Sequence, residues 1–228
     1  MVAYDDPEYA ITEEVGVGAA MELIGSAMNR AVARKRCPAA DIVSRLVAAE
    51  DRGNLSSDEF GFFVPLLAVA GNETTRNAIS HGMHAFLTHP GRRELYKRER
   101  PATTAEEIVR WATPVVSFQR TAAQDTELDG QKVKKGDRTG LFHSSAHHDP
   151  EVFEHPEASD ITRDPDPHLG FGGGPHFRLG KSLAVKEIEL IFDAIADVLP
   201  DLALAAEPRR LRAAWLNGVK DLRVRTAR

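Results

Sequence analysis

Cysteine is almost absent from this chain: Cys37 is alone among 228 residues. A single thiol excludes an intramolecular disulfide and any CxxC metal or redox motif. Long apolar runs are also lacking. The longest, residues 60–70, falls well short of the roughly 20 residues that a membrane helix needs. Positive charge is not in excess: 29 Lys and Arg stand against 34 Asp and Glu, for a net charge of −5. That balance gives no electrostatic case for nucleic acid or an anionic membrane as partner. The opening MVAYDDPEYA is acidic and lacks the basic-then-apolar layout of a signal peptide. The nine histidines show no metal-site spacing such as H-E-x-x-H. There are no internal repeats and no low-complexity linker. The expectation is a cytoplasmic chain without a membrane span, folded as one mostly helical domain.

What is there reads as helices first and short strands later. Residues 13–36 carry helical periodicity, and Arg34, Lys35 and Arg36 suit a helix C-terminus before Pro38. A second helix is expected over 39–50, ending at Asp51, Gly53 and Asn54. Ser56 and Glu59 have capping-box spacing, and a long apolar helix follows towards Thr88. Apolar character this continuous implies burial on most sides. Pro65, inside it, removes a hydrogen bond and should kink or break the helix. Thr104 and Glu107 form a second capping-box pattern, opening a short helix that ends near Pro114. Strands are expected over 115–123, 126–128 and 131–133, the last two joined by Asp129-Gly130, a strong hairpin signal. Residues 149–174 hold four prolines, with a fifth at Pro175, and no periodicity, and so long an irregular stretch in a compact domain is usually functional. A last helix spans roughly 179–199, and Asn217-Gly218 suggests a closing hairpin.

The irregular stretch ends in F-G-G-G-P-H-F-R-L-G, residues 171–180, where glycines run into a helix. Gly180-Lys181-Ser182 ends like a phosphate-binding P-loop, but that motif wants four residues between its glycines and Gly174 to Gly180 encloses five. Pro175 has no N–H to offer a phosphate, and no strand precedes the loop. The stretch instead resembles the haem-ligand signature of the cytochrome P450 family, F-G-x-G-x-H-x-C-x-G, at every fixed position except the cysteine, which is Arg178. In that family glycines let the backbone pass close to the porphyrin, and the thiolate ligates iron at a helix N-terminus.

Two further motifs follow the family's order. A-G-N-E-T-T, residues 70–75, resembles its A-G-x-[DE]-T-T on the helix crossing the distal face of the haem. Glu107-Ile108-Val109-Arg110 matches its E-x-x-R. The resemblance implies a mainly α fold with a minor β component, the C-terminal half of the cytochrome P450 fold, over the whole chain as one truncated domain. It implies haem as cofactor and Glu73 and Thr74 as the acid and alcohol that supply protons for oxygen activation. It places Arg120 and His176 on haem propionates, and Phe171, Gly174, Gly180 and Arg178 in the ligand loop. Glu107 and Arg110 become a buried brace for the irregular segment. The runs D-E-F-G-F-F, E-I-V-R-W-A-T-P-V and W-L-N-G narrow the likeness to actinobacterial members that oxidise sterol side chains and methyl-branched lipids. Such members take a lipophilic substrate, and electrons from a ferredoxin and its NAD(P)H-dependent reductase.

The departures carry equal weight. A guanidinium stays protonated at accessible pH and has no lone pair for iron, so Arg178 cannot replace the thiolate. The chain is about half the family's length. Glu157 and Ser159 stand where aromatic anchors are usual, and His147 stands where Asn is common. The expectation is a haem monooxygenase by ancestry, defective as written; the alternative is a non-enzymatic helical binding or scaffold protein without haem.

Overall fold

The computed structural model of the chain describes residues 5–198 and 201–226, and of His176 the backbone only. Two compact units are present, residues 1–73 and 74–228.

In the first unit α1 (Glu13–Arg36) opens at Thr12, whose side chain accepts a hydrogen bond from the Val15 N–H, and closes on three basic residues. Both ends therefore suit the helix dipole. The next helix, α2 (Ile42–Asp51), starts later than the expected residue 39. Asp41 is the reason: one of its oxygens caps the Ser44 N–H at 2.8 Å while the other takes the Arg34 guanidinium at 2.6 Å. Ala27, Ala31, Val43, Val47 and Phe60 form this unit's core. The long helix α3 (Ser57–Thr88) begins in the first unit and continues into the second. Its capping box forms as the spacing predicts: the Ser56 N–H reaches Glu59 at 2.8 Å and the Glu59 N–H reaches Ser56 Oγ at 3.2 Å.

Two expectations for α3 fail. The helix runs unbroken through Pro65, and it is not buried on most sides, because Phe62 and Leu66 are 70% and 60% exposed. The second failure follows from treating apolar composition as burial: hydrophobicity permits a buried face but does not supply the neighbour that covers it. Pro65 itself is half-buried, and its missing N–H leaves the carbonyl of Gly61, four residues back, without that helical partner.

The second unit holds the larger core, in which Phe86, Tyr96 and Phe192 stack edgewise around Ile108, Ile161, Phe171 and Ile188. A helix that the periodicity did not reveal, α4 (Pro90–Glu99), begins with proline in its first turn, where a missing N–H costs nothing. In α5 (Thr104–Ala112) the second capping box is absent. The Thr104 hydroxyl donates to the Pro101 carbonyl instead, and Glu107 turns inward. A buried arginine three residues on, Arg110, outcompetes one backbone N–H for that carboxylate.

The strands pair in four two-stranded antiparallel sheets among the described residues. β1 (Ser117–Thr121), shorter than the expected 115–123, pairs with β4 (Arg138–Phe142), which the sequence reading missed. β2 (Thr126–Leu128) and β3 (Gln131–Val133) form the expected hairpin, with Asp129 and Gly130 both at positive φ, +47° and +74°. A short helix α6 (His143–His147) follows β4. Residues 149–173 carry no helix or strand. The last helix, α7 (Lys181–Val198), matches expectation up to residue 198; residue 199 lies outside the described residues.

Four short strands, β5 (Leu202–Leu204), β6 (Arg209–Arg210), β7 (Val219–Asp221) and β8 (Val224–Thr226), close the chain. Asn217-Gly218 is not a tight turn between adjacent strands: β6 pairs with β7 across residues 211–218. Gly218 serves proximity instead, since a Cβ there would lie 2.6 Å from Leu211. Asn217 ties the loop down by donating to the Ala112 carbonyl at 2.6 Å.

Candidate functional site

The short helix α5 carries a buried ion pair. Arg110 and Glu107 are both fully buried and meet through two hydrogen bonds, at 2.6 and 2.9 Å. The remaining guanidinium hydrogens reach the carbonyls of His147, Pro156 and Ala158, at 2.6, 3.0 and 3.0 Å. Glu107 accepts in addition from the Asp160 N–H at 2.6 Å and from Arg163 at 3.2 Å. Phe153 lies under both arginines, 5.1 and 5.8 Å from their guanidinium carbons. Two carbonyls and one amide of an otherwise irregular segment, and the last carbonyl of α6, are thus fixed by one i, i+3 pair. Asp166 lies beside this network with both carboxylate oxygens buried and unpartnered, and burial pushes its pKa up to about 6.

Histidines carry the order onward to the loop. The Thr113 hydroxyl donates to the Arg110 carbonyl, so it accepts from His147 Nδ1, at 2.9 Å. His147 Nε2 is then free to accept the Leu169 N–H at 3.1 Å. That pairing needs a neutral imidazole, and burial, reinforced by His168, His143 and Arg110 nearby, pushes the His147 pKa down to about 3. His168 donates through Nε2 to Glu106 at 2.8 Å and accepts the Gly170 N–H on Nδ1. Burial alone would raise the Glu106 carboxyl, but hydrogen bonds from His168 and Lys181 hold it below the usual range.

The loop then turns through Gly172 and Gly174 at positive φ, +73° and +57°, conformations that favour glycine. Phe171 is buried in the core and its carbonyl accepts the Arg178 N–H at 2.9 Å. A narrow cleft opens beside the loop, lined by Thr74, Thr75 and Ala78 on α3, Val109 and Thr113 to Val115, and Phe171, Arg178, Ala184 and Ile188. Its free volume of about 20 Å³ holds one water. Arg178 is half-buried there and burial lowers its pKa. Its guanidinium lies 5.8 Å from the Phe118 ring.

The sequence-assigned residues distribute as follows. Thr74, Phe171 and Arg178 line the cleft, while Glu73, half-buried, does not. Arg120 is exposed on β1, 5.7 Å from the same Phe118 ring, and donates to the Gln119 carbonyl. Gly180 precedes α7 and is exposed. Gly174 begins the short 3-10 turn Gly174–His176; the His176 side chain lies outside the described residues. Sequence reasoning missed Thr113, His168, Arg163 and His143. A lone polar residue in an irregular stretch gives no periodic signal, and only the E-x-x-R pair showed where to look.

Residues 102–196 match the family model Cytochrome P450. The chain is 60% identical over 226 residues to a steroid C26-monooxygenase of Rhodococcus jostii, covering 98% of this chain and 47% of that protein. It is 47% identical over 189 residues to a methyl-branched lipid omega-hydroxylase of Mycobacterium tuberculosis, covering 81% and 44%. A Mycobacterium marinum cytochrome P450 in complex with pseudoionone superposes with a TM-score of 0.92 at 38% identity, covering 98% of this chain and 56% of that one. The chain therefore spans about half the length of the relatives it matches. Its fold is part of the cytochrome P450 fold. By sequence and fold it is similar to the C-terminal part of cytochrome P450 proteins, among them steroid and branched-lipid monooxygenases.

Haem is the cofactor that this family implies, and the ligand position does not fit it. The signature's thiolate is replaced by Arg178, whose nitrogens are all donors or delocalised and offer iron nothing. The free thiol, Cys37, is exposed on the first unit. Among the described residues no group of three or more His, Cys, Asp or Glu side chains is arranged to hold a metal ion, and no helix is long and apolar enough to cross a membrane.

Proposed function

We propose that the chain is a single cytochrome P450-type domain, in part, from a lineage that hydroxylates a lipophilic substrate, a steroid side chain or a methyl-branched lipid. As written it is catalytically defective. The 60% identity to a steroid C26-monooxygenase carries the substrate class. The unfitted ligand position carries the defect. Glu73 and Thr74 are the proposed proton-handling pair, Arg120 and His176 the proposed propionate partners, and Glu107 and Arg110 the structural brace. Electrons would come from a ferredoxin and its NAD(P)H-dependent reductase, in the cytoplasm. A helical scaffold without haem is not favoured, because the chain's relatives are oxygenases and the loop and brace are retained.

The test is spectroscopic. The 228-residue chain, loaded with haem, reduced and exposed to carbon monoxide, should lack the absorption band diagnostic of thiolate ligation, and Arg178→Cys should gain it. The band in the unchanged protein would remove the claim of a defect. Its absence in Arg178→Cys, with haem demonstrably bound, would remove the assignment of the ligand position.

A further inference from the structure

Between α4 and the braced segment the second unit holds a cavity far larger than the cleft beside the loop, with a free volume of about 430 Å³. That lies within the roughly 300–1,000 Å³ of small-molecule sites. Its floor is Leu95 of α4 with Ala158, Ser159 and Ile161 of the braced segment. Ile161 is 1% exposed and belongs to the main core, so the floor is firmly backed. Ser159 is withdrawn too, at 3%, yet its hydroxyl makes no hydrogen bond among the described residues. So small a side chain at that position leaves the space above it unfilled. The rim carries opposite charges that do not meet. Arg92, half-buried on α4, makes no side-chain hydrogen bond or ion pair among the described residues, although it acts electrostatically on Asp160. Asp160 uses one carboxylate oxygen for the Thr162 N–H and hydroxyl, at 2.9 and 2.7 Å, and leaves the other unengaged among the described residues. Arg163, also on the wall, is already committed to Glu107 and to the Glu154 carbonyl. The exposed Glu154 carboxylate adds to the negative side of the rim.

We propose that this cavity binds a free aromatic amino acid. The ring lies on Leu95 and Ile161 and fills the space over Ser159. The α-carboxylate takes the Arg92 fork, and the α-ammonium meets the open oxygen of Asp160 on the side of Glu154. An anion alone would satisfy Arg92 but be repelled by the two carboxylates, and a cation alone would be repelled by Arg92. A zwitterion answers both signs with one molecule. An aromatic side chain suits the floor because it buries a large apolar area at the cost of two torsions. The cavity shares no lining residue with the cleft at the ligand loop, so the site stands whether or not haem ever binds.

The experiment is a ligand-observed NMR titration of the full 228-residue chain with phenylalanine and with three probes that each lack one feature. These are 3-phenylpropanoate without the ammonium, phenethylamine without the carboxylate, and glycine without the ring. Phenylalanine should bind with a dissociation constant of about 1 mM or tighter, and each probe at least about fivefold more weakly. Two variants locate the site, each checked for folding by its circular dichroism. Arg92→Gln should bring phenylalanine down to the level of phenethylamine. Ser159→Phe should fill the floor and abolish binding; if it does not fold, the Arg92→Gln result decides alone. The proposal is overturned if phenylalanine does not bind by about 10 mM, or if any of the three probes matches it. It is equally overturned if folded Arg92→Gln keeps the preference for phenylalanine over phenethylamine.

Discussion

Arg110 and Arg178 are both drawn out of bulk water, and the protein treats them oppositely. Arg110 is fully buried and its guanidinium makes five hydrogen bonds, two to Glu107, two to carbonyls of the irregular segment and one to the His147 carbonyl at the end of α6. Arg178, where that segment ends, is half-buried and has an aromatic ring for company. A guanidinium has five N–H donors in a rigid fork, so the first site uses the whole inventory of the side chain. The second uses none of it among the described residues. Burial of a charge is tolerable only with partners, and the penalty for losing them is several kcal/mol. The brace is therefore built for arginine, whereas the ligand loop merely contains one.

The sharpest way to break this comparison is to remove the answered arginine. Arg110→Met keeps length and apolar bulk but leaves Glu107 facing one fewer cation and strands three carbonyls. Losing one member of a buried pair costs roughly 3–5 kcal/mol, a large part of a typical domain stability of about 5–15 kcal/mol. Chemical denaturation followed by tryptophan fluorescence should show the loss directly, because Trp111 is anchored to the Glu157 carbonyl of the braced segment. A loss below about 1 kcal/mol, the scale of an exposed pair, would mean that the brace is ornamental.

A second test sharpens the comparison through pH. His147 links the brace to the loop only while neutral, with its pKa pushed down to about 3. His81, buried and donating through Nε2 to the Asn217 carbonyl, is pushed down to about 4, with burial again the main cause. A histidine whose folded pKa is depressed binds fewer protons folded than unfolded, so stability is lost as pH falls below about 6.5. Asp166 opposes them: raised to about 6, it contributes stability that is lost as pH rises from about 4 through 6. The two histidines outweigh the one acid, so the melting temperature should fall between pH 7 and 5. The His147 share alone is about 2 kcal/mol at pH 5. His147→Asn keeps an acceptor for the Leu169 N–H and a donor for Thr113 without a titrating group, and should flatten the curve. An unchanged slope would show that His147 is hydrated rather than locked.

These two regions also differ in how far they could be read from sequence. The α1 boundaries, the Ser56–Glu59 cap and the Asp129-Gly130 turn follow from local chemistry within four residues, and the fold obeys it. The second capping box, Thr104 with Glu107, has the same spacing and fails, because Glu107 has a better partner in Arg110 at 2.6 Å. Strand β4 and helix α4 were invisible: Arg138–Phe142 finds its meaning only against β1, 20 residues earlier in register terms, and α4 is almost wholly polar. The E-x-x-R pair announced the brace, but not the histidine relay behind it, which is assembled by non-local hydrogen bonds at single positions. Arg178 was legible as a departure from a motif. What surrounds it, Phe118, Arg120 and His143, was not, because β1 and α6 meet the loop only in the folded chain.

The smallest expected effect is the most discriminating, because its sign differs from that of the first. Replacing an arginine by an apolar residue normally removes packing, and long side chains cover apolar surface with their stems. At position 178 that loss is offset. Arg178→Leu abolishes a partly desolvated charge that has no anionic partner among the described residues and sits ahead of the positive end of α7. Leucine matches the cleft walls of Ala78, Val109 and Ile188. An unsatisfied buried polar group costs about 1–3 kcal/mol, and partial exposure of Arg178 reduces that figure. The variant should therefore be as stable as the parent or more stable by up to about 1 kcal/mol, measured at low salt without carboxylate buffers. High salt should narrow the difference, since the repulsion is screened. A clear loss of stability in Arg178→Leu, in the absence of any added anion, would mean that the chain itself answers this charge, and the contrast with Arg110 would fall.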